Sequence, residues 1–141
     1  MRIILDSGAI IASVNNDPSL AELLKAARIN RTPILVPATV VAETWRGPRA
    51  HPRTAALFGS IDGFPELNET SARQVGALLA ISKTAAIVDG NVVAIAMAKP
   101  PATIVTSDVN DITHMLQSAR VPYALFGGRV PASVQVIILK V

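Results

Sequence analysis

The feature that most constrains this chain is a rhythm of short apolar runs, each followed by a helical pattern. Arg2–Leu5 (RIIL), Ile34–Val36 and Thr103–Val105 have the length and branching of buried strands. Between them, apolar residues recur at helical spacing. Asp17-Pro18-Ser19 opens a helix carrying Leu20, Leu23, Leu24 and Ala27. Pro37-Ala38 opens another, which runs through Glu43 and Trp45 and ends near Gly47-Pro48. Further helices are expected over about Pro52–Phe58, Glu69–Ser82, Asp89–Lys99 and Asp108–Ser118, with strands at Pro122–Phe126, Val134–Val141 and, more briefly, Phe64–Leu67. Strands that alternate with helices imply an α/β domain whose mostly parallel central sheet is flanked by helices. The 141 residues suit one domain, 1–141, and no repeat or linker divides them.

Composition narrows the class. Half of the residues are hydrophobic, yet only five are aromatic, so the core must be built from Ala, Val, Ile and Leu. With no cysteine, disulfides and thiolate metal sites are excluded. No apolar run approaches the roughly 20 residues that span a bilayer, and the N-terminal run is broken at Asp6, too early for a signal peptide. A cytoplasmic protein without a membrane partner is expected.

The acids are few and oddly placed. Asp6, Glu43, Asp89, Asp108 and Asp111 make up half of the ten acidic residues. In parallel sheets, functional groups gather at the carboxyl ends of the strands. Asp6 and Asp108 lie just past two such ends and should meet on one edge, although about a hundred residues separate them. Each aspartate has a local explanation: Asp6, Asp89 and Asp108 suit helix N-caps, and Asp111 suits a first helical turn. Glu43, flanked by Val40, Val41, Ala42 and Trp45, is harder to explain locally, because a carboxylate is costly to bury without a partner. Clustered carboxylates repel unless protonated or bound to a cation. All-oxygen ligands favour Mg²⁺, or Mn²⁺ as an alternative, over zinc. Such a site suits metal-assisted hydrolysis of a phosphodiester. If the five acids share a pocket, thirteen basic and five acidic residues remain for the rest of the surface, a balance that attracts nucleic acid.

Four segments carry a resemblance: LDSGAIIA (Leu5–Ala12), VPATVVAETWRG (Val36–Gly47), VDGNVVAIA (Val88–Ala96) and VTSDVNDITHML (Val105–Leu116). In order and spacing the chain resembles the PIN domain, and within it the VapC-type toxin ribonucleases of bacterial toxin–antitoxin pairs. The resemblance covers Arg2 to about Val141. It implies a three-layer α/β/α fold and Mg²⁺-dependent endoribonuclease activity that leaves 5′-phosphate and 3′-hydroxyl ends. It also implies a homodimer and a cognate VapB-like antitoxin whose tail blocks the site. Asp6, Glu43, Asp89 and Asp108 fall on the family's four acids, and Asp111 on an additional acid that many members carry. The stretch Lys83–Val88 lacks the extra acid of some relatives. Around this set, Ser7, Thr106 and Ser107 are candidates to orient water or a carboxylate, with Ser7 and Thr106 also able to meet substrate. Arg46, Arg49 and Arg53, with His51 among them, are candidates to grip RNA phosphates. Asn91 and Asn110 are within range of the same edge. Trp45 reads as a core residue, and His114 and Lys83 as surface residues.

Three other readings have distinct signatures. A pair of histidines, His51 and His114, would cleave RNA by acid–base chemistry that survives chelation. A receiver-like phosphotransfer domain also places aspartates at strand ends, but it needs a lysine after a late strand, and none follows Val105. A catalytically inactive PIN-like binding module would keep the acids only as caps.

Overall fold

A computed structural model describes residues 1–127 and 130–141. Among these, five strands form one parallel sheet in the order β2-β1-β3-β5-β4. The strands are β1 (Arg2–Leu5), β2 (Ile34–Leu35), β3 (Ala102–Thr106), β4 (Tyr123–Leu125) and β5 (Val136–Lys140). The helices are α1 (Ser7–Val14), α2 (Pro18–Ile29), α3 (Ala38–Thr44), α4 (Pro52–Gly59), α5 (Glu69–Ser82), α6 (Ile87–Ala98) and α7 (Val109–Ser118), with a 3₁₀ turn at Gly47–Arg49. They flank the sheet to give a three-layer α/β/α arrangement, α1 packing on α2 and α4, and α6 on α5 and α7.

The sequence explains these elements locally. Asp17 caps α2 by accepting the Leu20 N–H at 3.0 Å, and Asn68 forms a capping box with Ser71 at the start of α5. Ile4, Leu5, Ile104 and Val105 are fully buried, as expected for strands covered on both faces. Val92, Val93 and Ala96 of α6 are equally buried, because this small-residue helix lies against β1 and β3.

Three expectations need correction. Phe64–Leu67 is not a strand; only Gly63 bridges to Leu35, and Pro65 has no N–H with which to extend the ladder. Helix α3 stops at Thr44, before Gly47-Pro48, with Trp45 already extended. Helix α6 begins at Ile87, so Asp89 lies inside its first turn and Ala86 holds the cap position. No single helix among the described residues is long and apolar enough to cross a membrane.

The order of the strands fixes where a site can form. From β1 the chain passes to β2 on one side, while β3 lies on the other, so the crevice between β1 and β3 is a topological switch point. Leu5 pairs with Val105, which sets Asp6 level with Thr106 at that crevice.

Candidate metal centre

Asp6 leaves β1 and enters α1 as its N-cap. Its side chain is almost wholly buried, at 2% exposure. One carboxylate oxygen accepts the Ser7 N–H at 2.8 Å, and the other accepts the Thr106 hydroxyl at 2.7 Å. Capping and clustering are therefore compatible at this position.

Asp108 answers the capping question differently. It occupies the N-cap position of α7, but its side chain makes no capping bond. Its own N–H instead donates to Thr106 Oγ1 at 2.9 Å. The Thr106 hydroxyl thus gives its proton to Asp6 and takes one from the Asp108 backbone. This fixes the loop after β3 and leaves the exposed Asp108 carboxylate free. Thr106 is fully buried, so it holds a carboxylate and does not offer itself to substrate.

Asp89, half-buried in the first turn of α6, completes the cluster. Oxygens of Asp6, Asp89 and Asp108 lie within 4.8 Å of one another. Three carboxylate oxygens this close together would be near enough to share one divalent ion. Glu43 lies outside the triad. It is exposed on α3, where its Oε1 accepts a hydrogen bond from the Ser7 hydroxyl. Asp111 is also exposed, in the first turn of α7.

Electrostatics binds the five acids into one system. Burial pushes the Asp89 carboxyl up to about 7, helped by the charges of Asp6, Asp108, Asp111 and Glu43. Asp6 is also raised, first by burial; hydrogen bonds from Thr106 and Ser7 oppose this, while Asp108 and Glu43 add to it. A divalent cation would reverse each repulsive contribution. The donor set, all oxygen and short of positive charge, fits a hard cation such as Mg²⁺ or Mn²⁺.

Gly8 makes the crevice possible, a role not read from the sequence. A Cβ at this position would lie 2.3 Å from Ser107 Oγ and 2.8 Å from Ser107 N. Only glycine lets the first turn of α1 approach the loop that carries Asp108 so closely. The signal was present as a glycine in the first turn of a helix, but its reason lies a hundred residues away.

The basic residues after α3 divide into two kinds. Arg46 turns back on its helix, its guanidinium donating to the carbonyls of Glu43 (2.8 Å) and Trp45 (2.9 Å). Arg53 donates to the Val14 carbonyl at 2.9 Å. Arg49 makes no side-chain hydrogen bond among the described residues and is exposed. His51 caps α4, its Nδ1 accepting the Arg53 N–H at 3.1 Å. A groove of about 420 Å³ joins Ser7 and Glu43 to Thr44, Arg46, Arg49 and His51.

Other candidates lie elsewhere. Asn91 is buried and donates to Thr39 Oγ1 at 2.8 Å, tying α6 to α3. His114 Nε2 sits 2.7 Å from the Ser82 carbonyl and joins α7 to the end of α5. Lys83 ends α5 in a left-handed conformation. Trp45 is not a core residue. It is 41% exposed and stacks on Phe58 at 6.0 Å, because α3 ends before it can turn the ring inward.

No protein-family model matches the sequence, and a search of curated proteins finds no significant match. Among solved structures, one likeness is to a chain of VapBC2 from Rickettsia felis bound to a DNA fragment from their promoter. That alignment covers 98% of each chain with a TM-score of 0.62 and 16% identity. A likeness at this identity rests on backbone geometry, and the parallel sheet with its flanking helices agrees with it. The chain therefore has the PIN-like α/β/α fold, shared along nearly its whole length with a chain of a VapBC complex.

Proposed function

We propose that the protein is a Mg²⁺-dependent endoribonuclease, the toxin of a type II toxin–antitoxin module. The observation that carries this reading is the convergence of Asp6, Asp89 and Asp108 within 4.8 Å at the crevice between β1 and β3. The fold shared with a chain of a VapBC complex supports the toxin assignment and, with it, a VapB-like antitoxin partner. In this reading the protein acts in the cytoplasm as a homodimer, and Mn²⁺ can replace Mg²⁺.

Asp6, Asp89 and Asp108 would hold the ion, with Asp111 assisting from the first turn of α7. When bound, the ion supplies Lewis-acid charge at the scissile phosphate and makes water more acidic. The other roles belong to side chains. Thr106 holds Asp6 with one oxygen turned inward, so the carboxylate is already oriented before an ion arrives. Ser7 holds Glu43 at the exposed edge, where the carboxylate can accept a proton from a water approaching the phosphate. Departure of the 3′-oxygen leaves 5′-phosphate and 3′-hydroxyl ends.

The test is cleavage of a mixed cellular RNA pool by antitoxin-free protein with Mg²⁺, with EDTA, and by Asp108→Asn. Cleavage by the wild type with Mg²⁺ alone is expected. Persistence in EDTA would overturn the carboxylate mechanism in favour of His51 and His114.

A further inference from the structure

We infer that the groove running from Glu43 to Arg49 and His51 is a subsite for a backbone phosphate next to the scissile one, read by Arg49 as a charge and by His51 as a neutral donor. This rests on the nuclease reading above and specifies how that site would take its substrate. Of the three arginines in the RGPRAHPR segment, two are committed elsewhere. Arg46 closes the end of α3 by donating to its last carbonyls, and Arg53 is bound to the Val14 carbonyl across to α1. Arg49 alone of the three has no side-chain hydrogen bond among the described residues, and it lines the groove.

His51 lines the same groove. Its cap on α4 requires a lone pair on Nδ1, which accepts the Arg53 N–H. The proton of the neutral ring is therefore on Nε2, and a single N–H donor remains for a ligand. Among the described residues, Glu43 is the one acid lining this groove, at the end nearest the carboxylate cluster. A strand whose scissile phosphate lies at Asp6, Asp89 and Asp108 would meet repulsion at Glu43 and attraction beyond it. That gradient seats the neighbouring phosphate at Arg49 and His51. The oxygens of a phosphate match one fixed N–H and one guanidinium, and charge-assisted bonds of this kind are the stronger class.

The experiment measures binding of a short fluorescein-labelled single-stranded RNA by fluorescence anisotropy across a salt series, in EDTA to prevent cleavage. Wild type, Arg49→Ala, His51→Asn and the exposed-charge control Lys25→Ala are compared. Asparagine caps helices as well as the residues it replaces here, so His51→Asn keeps the start of α4 while removing the Nε2 donor. Arg49→Ala is expected to weaken binding roughly tenfold and to lower the slope of log K against log salt by about 0.7, the loss of one counterion released from a single strand. His51→Asn is expected to weaken binding about fivefold with the slope unchanged, because a neutral donor releases no counterion. If both variants bind like Lys25→Ala while the wild type binds and cleaves, the subsite is wrong and the nuclease reading stands. If His51→Asn lowers the slope, the ring binds as a cation and the neutral-donor assignment falls. If the wild type neither binds RNA in EDTA nor cleaves it with Mg²⁺, the nuclease reading falls and the subsite with it.

Discussion

Asp89→Asn should stabilise the metal-free protein at alkaline pH and lose that advantage in acid. In the folded chain Asp89 keeps its proton to about pH 7, whereas in the unfolded chain it titrates near 3.8. Between these values the folded state binds more protons than the unfolded state. Stability from this group is thus fully present below about pH 3.8 and is lost as the pH rises to about 7. The full gap corresponds to roughly 4 kcal/mol at about 1.4 kcal/mol per pH unit. Asp89 is only half-buried and solvent screens its neighbours, so roughly 1–2 kcal/mol of that penalty should be felt. The amide has the same shape without the charge. In EDTA at pH 8 the variant should therefore melt about 3–6 °C above the wild type, at on the order of 3 °C per kcal/mol for a chain of this size. At pH 4, where the wild-type carboxyl is already neutral in the fold, the two should differ little. Mg²⁺ at pH 8 should raise the melting temperature of the wild type and do much less for the variant. Thermal denaturation followed by circular dichroism measures all four conditions. Equal melting temperatures at pH 8 in EDTA, or a difference that does not change with pH, would refute the claim that burial, aided by the neighbouring acids, penalises a charge at Asp89.

Four further substitutions test the scaffold. Thr106→Val keeps the shape but strips a donor from Asp6 and an acceptor from the Asp108 N–H; urea denaturation should show a loss of about 2–3 kcal/mol, and a loss near zero would mean that water replaces the hydroxyl. Because the Thr106 bond opposes the raised pKa of Asp6, the same change should push that carboxyl higher and weaken stabilisation by Mg²⁺ at neutral pH. Gly8→Ala places a Cβ against Ser107 and should cost about 1–3 kcal/mol. Adding Ser107→Gly should recover part of this loss, because the side-chain clash goes while the one with the backbone nitrogen at 2.8 Å stays. Lys83→Gly relaxes a left-handed residue (φ 56°) at the end of α5 and should stabilise the protein by about 0.5–1 kcal/mol in urea denaturation.

How far the sequence reaches is clearest along the two strands that frame the crevice. RIIL and TIV are legible as buried strands because a run of branched apolar residues can be satisfied in few other ways. The start of α2 is legible because Asp17-Pro18 is a local device that acts within three residues. Given those elements, a parallel sheet must carry Asp6 and Asp108 to one edge, so their meeting follows from topology before any coordinate is known. What the sequence could not decide is how each side chain resolves its choices. Asp108 could cap or stay free, and it stays free in a loop that Thr106 pins by taking the Asp108 N–H while holding Asp6, 100 residues from Thr106. Glu43 could face solvent unsupported, but Ser7 of α1 holds it across 36 residues. Three arginines in one segment looked equivalent; Arg46 turns back onto the end of its own helix, and only the packing of α4 against α1 commits Arg53 to the Val14 carbonyl. Propensities and caps act over a few residues and can be read along the chain. Hydrogen bonds between distant elements depend on register and close approach, such as Gly8 against Ser107, and exist only once the sheet and its helices have come together.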